Sequence, residues 1–241
     1  MPRFLLPPES WDHATLTGDE ARHASQVLRL KPGKEIVVFD GKGRRAAAEI
    51  TAISRERVSL SIGNTLDSPV PKPAITLLQA IPKGKNMELI VQKAVELGVS
   101  TIIPVMTHNT VVQPGEGKAE KWRRIALEAC KQCGQDTLPQ ISDPKTFNNC
   151  LGDIEVCNSL KIIASLEKNS EPLKKILRVS QKISKVTLLI GPEGDFNITE
   201  TKVALDAGFQ PASLGDIVLR VETASLFCLS AIRYEFDNLI E

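Results

Sequence analysis

The sequence carries no excess of charge of either sign: 30 basic residues stand against 29 acidic ones over 241 positions, a formal charge of +1. No global polycation announces nucleic acid, so any RNA contact has to come from local patches. No apolar run approaches the ~18 residues that a membrane span needs, and the first residues, with Pro2, Pro7 and Pro8, are too proline-rich for a signal h-region. The expectation is a soluble, cytoplasmic protein with no membrane partner. Cysteine is scarce, with five residues and hence an odd number, which fits a reducing compartment rather than a disulfide scaffold. Cys130 and Cys133 form a CxxC, but inside a helical pattern (Trp122, Ile125, Ala126, Ala129) and without a second pair at zinc-finger spacing. They read as core or surface thiols, and no metal is expected. Neither GxxxxGK[ST] nor GxGxxG occurs, which disfavours a nucleoside triphosphate or a conventional dinucleotide. There is no internal repeat and no low-complexity segment.

What is present is 42% apolar residues, enough for one large or two small cores. The stretch Ser68-Pro69-Val70-Pro71-Lys72-Pro73 alternates prolines and reads as an extended, semi-rigid linker, dividing the chain into 1–70 and 74–241. In the first part, Thr17 and Glu20 have capping-box spacing ahead of a helix with Ala21, Ala24, Val27 and Leu28 on its apolar face. Ile36 to Phe39, Ala46 to Ile53 and Val58 to Ile62 follow as strands joined by short turns, a pattern that closes naturally as a compact β-barrel. Arg22, Arg29, Lys31, Lys34, Lys42, Arg44 and Arg45 make this module locally basic. Such a cluster can meet phosphates or can be an ordinary solvated face. His23 sits among the apolar helix positions and reads as a packed histidine before a catalytic one.

Beyond the linker, strand and helix patterns alternate. Ile75 to Ala80 is followed by a helical repeat through Met87, Ile90, Val91, Ala94 and Val95 that stops at Gly98. A strand at 99–105, helices at 118–133 and near 146–151, a strand at 160–164, a helix near 171–181 and a strand at 186–190 continue the series. This is the signature of a parallel sheet covered by helices, an α/β domain. Asn197 and Glu200 have capping-box spacing for the next helix, and a short strand at 212–214 precedes a last helix with Ala224, Phe227, Cys228, Ala231 and Ile232 on one face.

Two loops stand out, each after an apolar strand and before a helix, where backbone N–H groups converge in α/β folds. The first is Gly191-Pro192-Glu193-Gly194-Asp195-Phe196; the second runs from Leu214-Gly215 to Leu219-Arg220-Val221-Glu222-Thr223-Ala224. Gly191 and Gly194 allow close backbone approach to a ligand, although an ordinary tight turn would use the same residues. Arg220 and Glu222 are candidates for a pocket, or else a surface ion pair.

The two loops together closely resemble those of the RsmE-type small-subunit ribosomal RNA uridine-N3 methyltransferases of the SPOUT superfamily. Further matches run the length of the chain: Met1-Pro2-Arg3-Phe4, His23 with Val27-Leu28-Arg29-Leu30, Phe39-Asp40-Gly41, Pro82-Lys83-Gly84, the run from Gln92 to Val99, and Ala207-Gly208-Phe209. The resemblance implies an N-terminal PUA-like RNA-binding β-barrel and a C-terminal SPOUT α/β domain with a trefoil knot, a homodimer, S-adenosyl-L-methionine as cofactor, and 16S rRNA of the small ribosomal subunit as partner. It implies cofactor contacts at Ile190, Gly191, Pro192, Gly194, Leu214, Gly215, Leu219, Arg220, Thr223 and Ala224. It puts Arg220, Glu222 and Glu193 beside the methyl group or the incoming base. Arg3, Arg22, Arg29, Lys31 and Lys83 are the positions expected at RNA. The sequence departs from the family where a second glycine is usual and Asp195 stands, and where arginines are usual near Asn109 and Gln135. A SPOUT enzyme with another RNA target, or a non-catalytic RNA-binding or assembly protein, are the alternative readings.

Overall fold

The computed structural model describes residues 1–111, 114–152, 159–167, 169–179 and 183–236. The chain divides into two compact units, Met1–Val70 with Cys130–Leu138, and Pro71–Ala129 with Pro139–Glu241.

The first unit is built on β1 (Arg3–Leu5), β2 (Thr15–Thr17), the short helix α1 (Gly18–Arg22), β3 (Glu35–Phe39), β4 (Arg44–Ile53) and β5 (Arg57–Asp67). The strands form one sheet in the order β1-β3-β4-β5-β2, with only the β1–β3 pair parallel. Register shifts at Ala46/Ala48 and Ile50/Ala52 bend β4 against β5, as bulges do. All five strands and α1 contribute to one core that includes Phe4, Leu16, Ala21, Ala24, Ile36, Val38, Ile50 and Val58.

Two local expectations fail here, for physical reasons. Thr17 makes no side-chain cap on α1, and Glu20 does not reach back to it. The Glu20 carboxylate instead accepts the Leu5 N–H and pairs with Lys131. The helix also widens into a π-turn over His23–Val27, so that Val27 and Leu28 point outward while Ala21 and Ala24 stay buried. His23 packs its ring edge-on against Phe4, with centroids 5.8 Å apart.

The second unit comprises β6 (Ala74–Ala80), α2 (Asn86–Glu96), β7 (Thr101–Met106), α3 (Lys118–Cys133, whose residues from Cys130 onward count with the first unit), β8 (Gln140–Ile141), β9 (Lys145–Thr146) and α4 (Phe147–Gly152). It continues with β10 (Ser159–Ala164), β11 (Glu171–Pro172), α5 (Leu173–Val179), β12 (Lys185–Ile190), α6 (Ile198–Asp206), β13 (Gln210–Ser213) and α7 (Val221–Phe236). The helix expected near 171–181 is thus shorter, preceded by the two-residue β11, and residues 180–182 lie outside the described ones.

Every pairing in this sheet is parallel, in the order β11-β13-β10-β12-β6-β7-β8. Strands covered on both faces read as continuous apolar runs, and β12 is buried from Val186 to Ile190. One face packs Leu78, Val105, Ile163 and Leu189 against Phe147, Cys150, Ala204 and Phe209. The other receives α2, α5 and α7, with α7 lying against α2, α5 and β12. The α6 capping box is formed as the spacing foretold: Asn197 accepts the Glu200 N–H at 2.8 Å, and Glu200 accepts the Asn197 N–H at 3.0 Å.

Candidate active site

The strand order decides where the two loops go. β12 and β13 are not neighbours; β10 lies between them and pairs with both. Because all three run parallel, the loops that follow them leave the same edge of the sheet. They wall a cavity of about 640 Å³, lined by Ala164–Glu167 after β10, Ile190–Asp195 after β12 apart from Gly194, and Ser213–Ala224 after β13 apart from Thr223. Asn86, at the start of α2, completes the lining.

The first loop is shaped by its own residues. A β-carbon on Gly191 would come within 3.0 Å of the Phe196 ring and 3.2 Å of Asp195 Oδ1. A larger residue at 191 would therefore crowd the loop's own side chains, so the Phe196 ring or Asp195 would have to shift. Asp195 takes the left-handed conformation, φ 58°, and its Oδ1 accepts the Phe196 N–H at 2.8 Å. From outside, Asn109 Nδ2 donates to the carbonyls of Gly194 and Asp195, each at 2.9 Å, and Gly194 packs against that side chain. The neighbouring His108 N–H is accepted by the buried Glu200 at 2.7 Å. The 107–110 turn is thus fastened to the first loop and to α6.

The second loop supplies charge. No ion pair joins Arg220 to Glu222 among the described residues, and the exposed Arg220 guanidinium lines the cavity. Its carbonyl accepts the Ala224 N–H at 2.8 Å, opening α7. Glu222 is half-buried and takes a hydrogen bond from Asn86 Nδ2 at 3.2 Å. Glu193, which is exposed, accepts the Lys83 backbone N–H at 2.8 Å. Both acids therefore touch one turn, 82–86. Ser225, one turn into α7, is wholly buried and donates to Gln79 Oε1 at 2.6 Å, tying the helix start to β6.

Of the residues singled out by sequence, Ile190, Gly191, Pro192, Glu193, Leu214, Gly215, Leu219, Arg220, Glu222 and Ala224 line this one cavity. Thr223 is exposed on the other side of the first α7 turn, and Gly194 stands behind the wall against Asn109. The sequence reading missed Ala164–Glu167 and Asn86. No motif marks the former; only the adjacency of β10 to both β12 and β13 brings them in. Among the basic positions, Arg22, Arg29 and Lys31 are exposed. Arg3 is not: its guanidinium bonds Asp136 and the Gln135 carbonyl and lies 5.0 Å from the Phe39 ring centre. Its guanidinium is thus engaged within the first unit.

These features define the class. Residues 69–233 match the family model of the RNA methyltransferase domain, and residues 16–63 match that of the RNA methyltransferase PUA domain. The chain is 32% identical to ribosomal RNA small subunit methyltransferase E of Synechocystis sp., with 95% of this chain and 76% of the relative aligned. The same-named protein of Bacillus subtilis is 30% identical over 93% of this chain and 91% of its own. The crystal structure of a ribosomal RNA small subunit methyltransferase E from Neisseria gonorrhoeae, bound to S-adenosyl methionine, superposes with a TM-score of 0.87 at 32% identity, covering 97% of each chain. The chain belongs to the ribosomal RNA small subunit methyltransferase E family, with a PUA-like unit ahead of a SPOUT-type α/β unit.

Proposed function

We propose that the protein transfers a methyl group from S-adenosyl-L-methionine to N3 of a uridine in 16S rRNA of the small ribosomal subunit. The observation that carries this reading is the joining of two separated glycine-bearing loops in one cavity that also holds Arg220 and Glu222. The lining suits the cofactor. A space of about 640 Å³ lies within the range of small-ligand sites, apolar Leu166, Ile217, Val218 and Leu219 offer a surface for an adenine ring, and polar groups converge at the Asn86 side. Ile190, Gly191, Pro192, Leu214, Gly215, Leu219 and Ala224 would hold it. Bound there, it supplies an electrophilic methyl carbon for in-line displacement.

The chain's own residues then have two tasks. They must align the base, since placement alone can supply much of the acceleration, and they must handle the N3 proton, since the neutral imide is a poor nucleophile. Arg220, with no ion pair among the described residues, stabilises the negative charge developing on a uracil carbonyl oxygen. Glu222 takes the N3 proton; it is half-buried and held by Asn86, whereas Glu193 is exposed and bound to the Lys83 N–H. Paired uridine hides N3, so the target base is unpaired or drawn out of its stack.

Arg22, Arg29 and Lys31 contact RNA phosphates from the PUA-like unit. Among the described residues no helix is long and apolar enough to cross a membrane, and the site of action is the cytoplasm, on the assembled subunit. A homodimer through α7, which exposes Phe227 and Tyr234, and a knotted C-terminal unit complete the reading. Sedimentation tests the dimer.

The deciding experiment incubates the purified protein with methyl-labelled cofactor and unmodified small subunits, followed by nucleoside mass spectrometry. Label on N3-methyluridine is expected. Cofactor binding without label on RNA, or label on another base atom, would overturn the assignment. Single-turnover rates that stay at the wild-type value in both Arg220→Ala and Glu222→Ala would remove the roles given to those side chains.

A further inference from the structure

We propose that Lys83 and Lys85 in the turn before α2, with Lys118 and Lys121 at the start of α3, form a phosphate-binding surface on the methyltransferase unit that holds the RNA strand at the cavity mouth. The proposal rests on the RNA methyltransferase reading above and adds to it a second anchoring surface, on the catalytic unit itself.

The location follows from two hydrogen bonds. Asn86 lines the cavity and holds Glu222, so the preceding Lys85 stands at the rim. Lys83 gives its backbone N–H to Glu193, another lining residue, so its side chain starts from the same rim. From there the cations continue outward. Lys121 pairs with Glu88, two residues into α2. The hydrogen bond from Lys121, with the charges of Lys121, Lys85 and Lys118, holds the Glu88 carboxyl below its ordinary value. Lys85, Lys118 and Lys121 are thus gathered around one carboxylate of α2, with Lys83 two residues before Lys85 on the same turn.

Lys83, Lys85 and Lys118 are exposed, and none of their ammonium groups makes a hydrogen bond or ion pair among the described residues. An ammonium free of internal partners exchanges a counterion for a phosphate at no cost to the fold. The turn also opens α2, whose N-terminal dipole adds to the positive potential. In a chain of net charge +1, this concentration at the mouth of the reaction cavity is local. A polyanionic strand whose base enters the cavity would lay its flanking phosphates there.

The test compares the wild type, the quadruple variant Lys83→Gln, Lys85→Gln, Lys118→Gln, Lys121→Gln, and the single variant Glu88→Gln. Binding to unmodified small ribosomal subunits is measured from 50 to 200 mM KCl, with calorimetry of S-adenosyl-L-methionine as the check on fold. Four single-strand phosphate contacts contribute about 2.8 to the slope of log affinity against log salt, so the wild type should lose about fifty-fold more affinity than the quadruple variant across that range. Cofactor affinity should be unchanged in both variants. Glu88→Gln should bind subunits several-fold more tightly at 50 mM, with the gain fading at 200 mM. A quadruple variant with the wild-type slope, or a Glu88→Gln variant with no gain, would overturn the proposal while leaving the methyltransferase reading intact. A wild type that neither binds nor methylates subunits would overturn both.

Discussion

Asp195 occupies a backbone conformation that side chains avoid, and the balance of forces that keeps it there can be measured. Its φ of 58° is left-handed, which costs a residue with a β-carbon roughly 1–2 kcal/mol. Against this, Oδ1 accepts the Phe196 N–H at 2.8 Å, a local bond contributing about 1 kcal/mol. Asp195→Ala keeps the strain and loses the bond, so the expected destabilisation is about 1–2 kcal/mol, or roughly 2–8 °C in Tm for a chain of this size. Asp195→Gly loses the same bond but relieves the strain, and should stay within about 2 °C of the wild type. Because Asp195 also lines the cavity, the affinity for S-adenosyl-L-methionine should fall further in the alanine variant than in the glycine variant. Differential scanning calorimetry and cofactor titration on the three proteins read both effects. If alanine and glycine variants melt together, or alanine matches the wild type, the opposition of strain and local hydrogen bond is refuted.

Asn109→Ala removes two donations to the first loop, worth about 1–3 kcal/mol together, and should weaken cofactor binding roughly tenfold, read by calorimetry. Asn109→Asp should be worse, since a carboxylate would face the two carbonyl oxygens. Glu200→Ala leaves the His108 and Asn197 N–H groups without their buried acceptor and should cost about 2–4 kcal/mol in urea denaturation, against about 1 kcal/mol for the cap variant Asn197→Ala. Burial, first of all, pushes the thiols of Cys130 and Cys228 from 9.0 up to about 12, so iodoacetamide at neutral to mildly alkaline pH should modify exposed Cys133 and spare those two until the chain unfolds. Their folded values lie above the unfolded one, so the stability they contribute is complete below pH 9.0 and is lost as pH rises towards about 12. Urea midpoints that stay flat over that interval would contradict this.

The parallel sheet was readable because strands buried on both faces leave unbroken apolar runs, as at Val186 to Ile190, and the α6 cap because both partners lie within one turn. Signals of the same kind failed where a distant group competed. Thr17 and Glu20 have capping-box spacing, yet the Glu20 carboxylate is drawn to the Leu5 N–H and Lys131, which no local pattern contains. The bond from Arg3 to Asp136, 133 residues away, is likewise outside any local pattern. Val27 and Leu28 fit a 3.6-residue period that the π-turn breaks.

The site shows the same division at larger scale. Each glycine-bearing loop is visible alone in the sequence, but their meeting depends on β10 entering the sheet between β12 and β13, a matter of strand order that periodicity does not record. That insertion is also what brings in Ala164–Glu167 as a wall. The 82–86 turn is a second consequence of topology. It follows β6, the neighbour of β12 on the side away from β10, and so reaches Glu193 through its backbone and Glu222 through Asn86. Two acids 29 residues apart are thereby tied to the one turn that follows β6. A substitution at Asn86 should accordingly disturb Glu222 while leaving the backbone around Gly191 and Gly215 in place. Asn86→Ala is expected to lower kcat for methylation while the cofactor Kd stays near the wild-type value, and Asn86→Gln to recover part of the rate. A variant that lost cofactor affinity and kcat in step would show that the turn supports the whole cavity rather than aiming one carboxylate.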